Sequence, residues 1–137
     1  MAAMVAAMSL QACTSEVETA EKEHYQPATL SPLKGDDEHF VVTLTQEGAK
    51  RIAIKTEPVG GAAGKTVIPY AALLYEKDGA TYVYVSPKAR TYQRDEVEVD
   101  RISGDRVVLR SGPPVGTTVV TTGAAQVHGA ELEYGEY

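Results

Sequence analysis

Three histidines, one cysteine, a scatter of carboxylates and a Gly-Lys-Thr triplet are the residues here whose types could support chemistry. His128 stands close before Glu131 and Glu133, and imidazole with carboxylates is a ligand set that suits a transition metal. The H-E-x-x-H spacing, which sets two imidazoles on one helix face, is missing, and His24 and His39 lie far off in sequence. No metal is therefore assigned. Gly60-Gly61-Ala62-Ala63-Gly64-Lys65-Thr66 invites comparison with a phosphate loop, G-x-x-x-x-G-K-[ST] between a strand and a helix. Counting back from Gly64, the first glycine would fall at Val59. The β-type run Thr66-Val67-Ile68-Pro69 that follows offers no helix N-terminus to a phosphate. A flexible hinge is expected there instead. Ser86, Ser103 and Ser111 sit in turns without a nucleophile elbow, and no base with its own orienting group accompanies them. Neither an enzyme nor a cofactor is expected.

Tyrosine is the more informative residue, with eight copies against one Phe and no Trp. Tyr70, Tyr75, Tyr82, Tyr84 and Tyr92 gather in the middle of the chain. Tyr82 and Tyr84 share one face of a strand whose other face carries Thr81, Val83 and Val85. Two roles stay open for the five: core rings with hydroxyls at a rim, or a protein-contact surface, for which their large apolar body and polar tip suit them.

The elements that must position these residues are short strands. Phe40, Val42 and Leu44 alternate with polar neighbours, the pattern of a half-buried strand. Thr45 can cap a helical turn over 45–51, although Gly48 costs about 1 kcal/mol against Ala inside a helix. Ile52, Ile54 and Thr56 suggest a second strand that ends at Pro58. Asp78-Gly79 between two apolar runs predicts a two-residue type I′ hairpin. Val97 and Val99 alternate with acidic residues, giving a strand with one solvated face. Ser103-Gly104-Asp105 and Val115-Gly116 turn the chain into two more strands, and a short helical turn is expected over 124–128. Beyond it, Leu132 and Tyr134 lie in a polar tail that is loose or pairs as an edge strand. The fold class is all-β with minor α, a small barrel or sandwich of about seven or eight short strands.

The chain has 137 residues and a net charge of −6. That sign disfavours both nucleic acid, which needs a basic face, and electrostatic adhesion to anionic lipid. The first ten residues are small and apolar, as in the hydrophobic part of an export signal. Residues 14–34 are polar and glutamate-rich, a composition that cannot offset the entropy of ordering and suits a tether. Cys13 is the single cysteine, so no internal disulfide framework exists. Leu10-Gln11-Ala12-Cys13 resembles a bacterial lipobox, which implies lipidation at Cys13 and anchoring to a membrane on the periplasmic side of the cell envelope. The expected organisation is a signal peptide at 1–12, a tether at 13–35 and a β-domain at 36–137.

Three blocks of the β-domain, in order, carry a further resemblance. They are Val67-Ile68-Pro69-Tyr70-Ala71-Ala72-Leu73-Leu74, then Lys77-Asp78-Gly79-Ala80-Thr81-Tyr82-Val83-Tyr84-Val85, then the run from Ser111-Gly112 to Thr122-Gly123-Ala124. Together they resemble the membrane-proximal part of bacterial periplasmic adaptor subunits, the membrane fusion proteins of efflux systems. The run Val41 to Val59 is similar to the opening of the adaptor core, with Ala53 where glycine is commoner. No lipoyl halves and no helical hairpin are found. The resemblance implies an adaptor-like binding subunit whose partner is an inner-membrane transporter or another efflux subunit, with self-association of the domain also open. Two alternatives stand beside it: a free-standing envelope lipoprotein that binds a small ligand or another envelope protein, and a truncated adaptor without a function of its own.

Overall fold

The computed structural model describes residues 26–135; the expected lipidation site Cys13 and most of the expected tether lie outside them. Ten strands and two helices follow one another in the order β1 (Ala28–Pro32), β2 (Phe40–Leu44), α1 (Gln46–Ile52), β3 (Lys55–Pro58), β4 (Gly60–Ala62) and β5 (Lys65–Pro69). A 3₁₀ turn at Tyr70–Ala72 leads to β6 (Leu74–Tyr75), β7 (Thr81–Lys88), β8 (Thr91–Ser103), β9 (Arg106–Ser111), β10 (Thr118–Thr122) and α2 (Ala124–Gly135). The class is all-β with minor α, as expected. Among the described residues no helix is long and apolar enough to cross a membrane.

All pairings are antiparallel, and the main path runs β3-β10-β7-β8-β9-β5-β4. Its two ends are consecutive pieces of one stretch, 55–62, so the sheet curls into a nearly closed barrel. Val59 is the seam: its N–H donates to the Thr117 carbonyl at 2.8 Å, and its carbonyl accepts from Gly116 N at 2.9 Å. The next residues switch to β5, pairing Gly60 with Val67. Val59, Ile68, Val83, Val85, Val97, Val107, Leu109 and Val119 fill the barrel, with Ala72 and Leu73 of the 3₁₀ turn joining the same cluster.

A second apolar layer lies outside the barrel wall. The β1–β2 pair adds to the start of β8, Val42 opposite Tyr92, and α2 packs over it. Ala28, Val42, Leu44, Tyr82, Tyr84, Tyr92, Val120, Ala124, Val127 and Ala130 form this core. β7 is therefore buried on both faces, valines inward and tyrosines outward, as period two requires.

Several expectations need correction. β1 falls within the expected tether and holds five register pairs with β2, Ala28 opposite Leu44 through Pro32 opposite Phe40. Backbone pairing thus recruits a polar segment that composition assigned to linker. Ile52 ends α1 rather than opening a strand, because Ala53 takes the left-handed conformation (φ 52°) that stops the helix. The hinge at 60–64 is a tight hairpin: Ala62 pairs with Lys65, and Ala63 and Gly64 both have positive φ, the requirement of a type I′ turn. At 77–79 only Gly79 has positive φ (89°). Glu76 N donates to the Ala80 carbonyl and Gly79 N to that of Glu76, which is the three-residue loop with a glycine bulge rather than the two-residue turn. The expected turn at 124–128 is a helix that continues to Gly135, so Leu132 belongs to no edge strand.

Candidate functional site

The charged and phenolic side chains that matter converge where α2 crosses the outer face of β7 and β8. Period two points Tyr82 and Tyr84 out of the barrel toward α2, where their rings meet edge to face at 5.6 Å between centroids. Arg94 lies opposite Tyr84 in the β7–β8 ladder, and its guanidinium carbon sits 4.4 Å from the centre of the Tyr82 ring, a cation–π contact. Helical spacing of three puts His128 and Glu131 on one side of α2, facing these groups.

Glu131 is the hub, with 3% of its surface exposed. Its Oε2 accepts from the Tyr84 hydroxyl at 2.5 Å and from Arg94 Nε at 2.8 Å, and its Oε1 accepts from the backbone N–H of Phe40 at 3.0 Å. One carboxylate therefore ties α2 to β2, β7 and β8. Arg94 also donates through Nη1 to Glu76 and through Nη2 to His128 Nδ1, the latter at 3.0 Å. Tyr82 reaches the same Nδ1 with its hydroxyl at 3.0 Å. A buried arginine between two carboxylates compensates its own desolvation.

The electrostatics follow from this packing. Burial pushes the Tyr82 phenol up to about 12, and the nearby Glu131 charge acts in the same direction. Burial raises Tyr84 further, beyond the ordinary range of a phenol, and its hydrogen bond to Glu131 adds to the effect. Burial likewise raises Tyr92. His128 is held below the ordinary histidine value by burial first and then by the Arg94 charge, with Glu131 opposing. These phenols are hydrogen-bond donors at neutral pH, not nucleophiles.

An open cleft of about 400 Å³ borders the network, walled by Phe40, Tyr75 and Leu132 and floored by Glu76, Arg94 and His128. Of the five tyrosines expected as core or contact surface, Tyr82, Tyr84 and Tyr92 are buried, whereas Tyr70 (47% exposed) and Tyr75 (55%) stand in solvent. The neighbouring Tyr70 phenol raises that of Tyr75 above its ordinary value. Three of the five are thus core residues and two lie at the surface. His128 and Glu131, considered in the sequence as a metal pair and not assigned as one, are together, and their polar atoms face Arg94 and two phenols. No group of three metal-ligating side chains is gathered among the described residues. His39 lies beside Asp36 at 2.6 Å. Arg94 and Glu76 went unnoticed in the sequence. Arg94 on the tyrosine-facing side of an acidic strand was the available sign.

No protein-family model matches the chain, and neither curated proteins nor solved structures show a significant similarity to it.

Proposed function

We propose that the chain is an extracytoplasmic lipoprotein, anchored through Cys13, that acts as an adaptor-like binding subunit on the outward face of an efflux or export transporter. The supporting observation is the filled barrel. Val59, Ile68, Val83, Val107, Leu109 and Val119 are all at 1% exposure or less, so the lumen holds side chains instead of a guest, and work falls to the outer surface. Exposed Tyr70 and Tyr75, with Leu132 across the cleft, supply the large apolar contacts that protein interfaces favour. About 14 residues separate Cys13 from β1, and a flexible coil of that length reaches roughly 20 Å, a span suited to a transporter's rim above a lipid anchor.

The cleft favours a second reading, a free-standing envelope lipoprotein that binds a small ligand or another envelope protein there, since small-molecule sites are concave. Crosslinking the tagged full chain in intact cells of its host, then identifying what co-purifies from solubilised membranes, separates the two. Docking predicts a transporter subunit that is recovered with the wild type and lost with Cys13→Ala and with Tyr70→Ala/Tyr75→Ala. Recovery from membranes with no transporter subunit at all would overturn it in favour of the second reading.

A further inference from the structure

The network under α2 contains one group whose protonation its surroundings do not accommodate. Two donors aim at His128 Nδ1, Arg94 Nη2 and the Tyr82 hydroxyl, each at 3.0 Å. A guanidinium only donates. Nδ1 must therefore present a bare lone pair, and the ring is neutral with its proton on Nε2. We propose that His128 is a pH-sensitive latch: the neutral ring holds α2 against β7 and β8, and a proton on Nδ1 loosens the helix and uncovers the apolar layer beneath it. This rests on how α2 packs and holds whatever the partner of the protein is.

A proton on Nδ1 removes the shared acceptor and sets a second cation 3.0 Å from the guanidinium. The Tyr82 hydroxyl can turn and accept; Arg94 cannot. The charged and titratable groups around the ring are Tyr82 and Tyr84 from β7, Arg94 from β8, Tyr75 from β6, Glu76 and Lys77 from the turn after it, Glu38 and His39 from the segment before β2, and Glu131 on α2 itself. Glu131 is the carboxylate that favours an imidazolium. Its oxygens are already engaged by Tyr84, Arg94 and the Phe40 N–H, so it cannot swing to meet the new charge. The depressed histidine value gives the sign. The unfolded or opened chain binds the proton more readily, so the latch contributes fully above the ordinary value of about 6.5 and its contribution is lost as pH falls through the folded-state value. Ala124, Val127 and Ala130 would leave Tyr82, Tyr84, Val42 and Val120, their neighbours in the core.

The test is amide hydrogen exchange on the full chain, corrected for intrinsic rates, alongside an NMR titration of the imidazole. Between about pH 7.5 and about pH 5, protection in α2 should fall at least about fivefold more than protection in β7 and β9. In His128→Gln, whose side-chain oxygen can still accept from Arg94 but does not titrate, that extra loss should vanish. An imidazole that titrates at or above the ordinary histidine value would overturn the latch, and this reading needs only the wild type should the variant fold poorly. So would α2 and the barrel losing protection in step, or the same extra loss in His128→Gln.

Discussion

At the scale of single residues, Glu131 concentrates the most consequence. Replacing it with alanine strands the Tyr84 hydroxyl, the Phe40 N–H and part of the Arg94 guanidinium. Breaking a buried ion pair from one side costs about 3–5 kcal/mol, so urea denaturation of Glu131→Ala should register a loss of that order. The phenols predict the alkaline limit. Tyr82 is raised to about 12, above the ordinary 10 of the unfolded chain, so its contribution is whole below pH 10 and is lost as pH climbs through about 12. Ultraviolet titration should find Tyr82 ionising only at about pH 12, with unfolding close behind. Ala53 gives a prediction of the opposite sign. Its left-handed backbone (φ 52°) costs an L-residue about 1 kcal/mol and a glycine almost nothing, so Ala53→Gly should raise the melting temperature. The two-faced placement of Tyr82 and Tyr84 was legible from period two alone. Their partners were not, because Arg94 and Glu131 reach them only through β7–β8 pairing and a helix that sequence reasoning ended at His128.

At the scale of elements, two helical glycines separate propensity from packing. Gly48 is buried in α1, and a Cβ there would collide with the carbonyl oxygen of Pro27, which also accepts from Thr45 N and Thr45 Oγ1. Gly129, in α2, has nothing within 4 Å of where a Cβ would stand. Alanine should therefore destabilise at 48 by about 1–3 kcal/mol through overpacking and stabilise at 129 by up to about 1 kcal/mol through helix propensity; thermal melts of the two variants test the pair. The Thr45 cap was legible: its Oγ1 accepts from Gly48 N at 3.0 Å. The length of α2 was hidden by its own composition. Its buried stripe is Ala124, Val127, Ala130 and Glu131, small residues and a carboxylate, which do not read as an apolar face. β1 was hidden in another way, since Ala-Thr-Leu-Ser-Pro has little strand propensity and owes its form to β2.

At the scale of the whole molecule, two cores share one wall. β7 gives Val83 and Val85 to the barrel and Tyr82 and Tyr84 to the layer under α2, so neither core can dissolve without exposing a face of the other. Leu109→Ala in the barrel and Leu44→Ala in the outer layer should each cost about 2–5 kcal/mol, and tyrosine fluorescence and far-ultraviolet dichroism should still report one coincident transition in both variants. Two separate transitions would show that the wall does not couple the cores. Hairpins and turns of this architecture were legible from local chemistry; closure was not, because it joins β3 and Val59 to β10 and the turn before it across all the strands between them. That seam has a kinetic meaning. The contacts of Val59 with Thr117 and Gly116 reward the chain only after the intervening loop has been closed, and such non-local pairings form late and slowly. Loosening the seam should leave the rate of folding nearly untouched and hasten the rate of unfolding, so that the lifetime of the native protein, more than its capacity to form, depends on the residue at which the barrel meets itself.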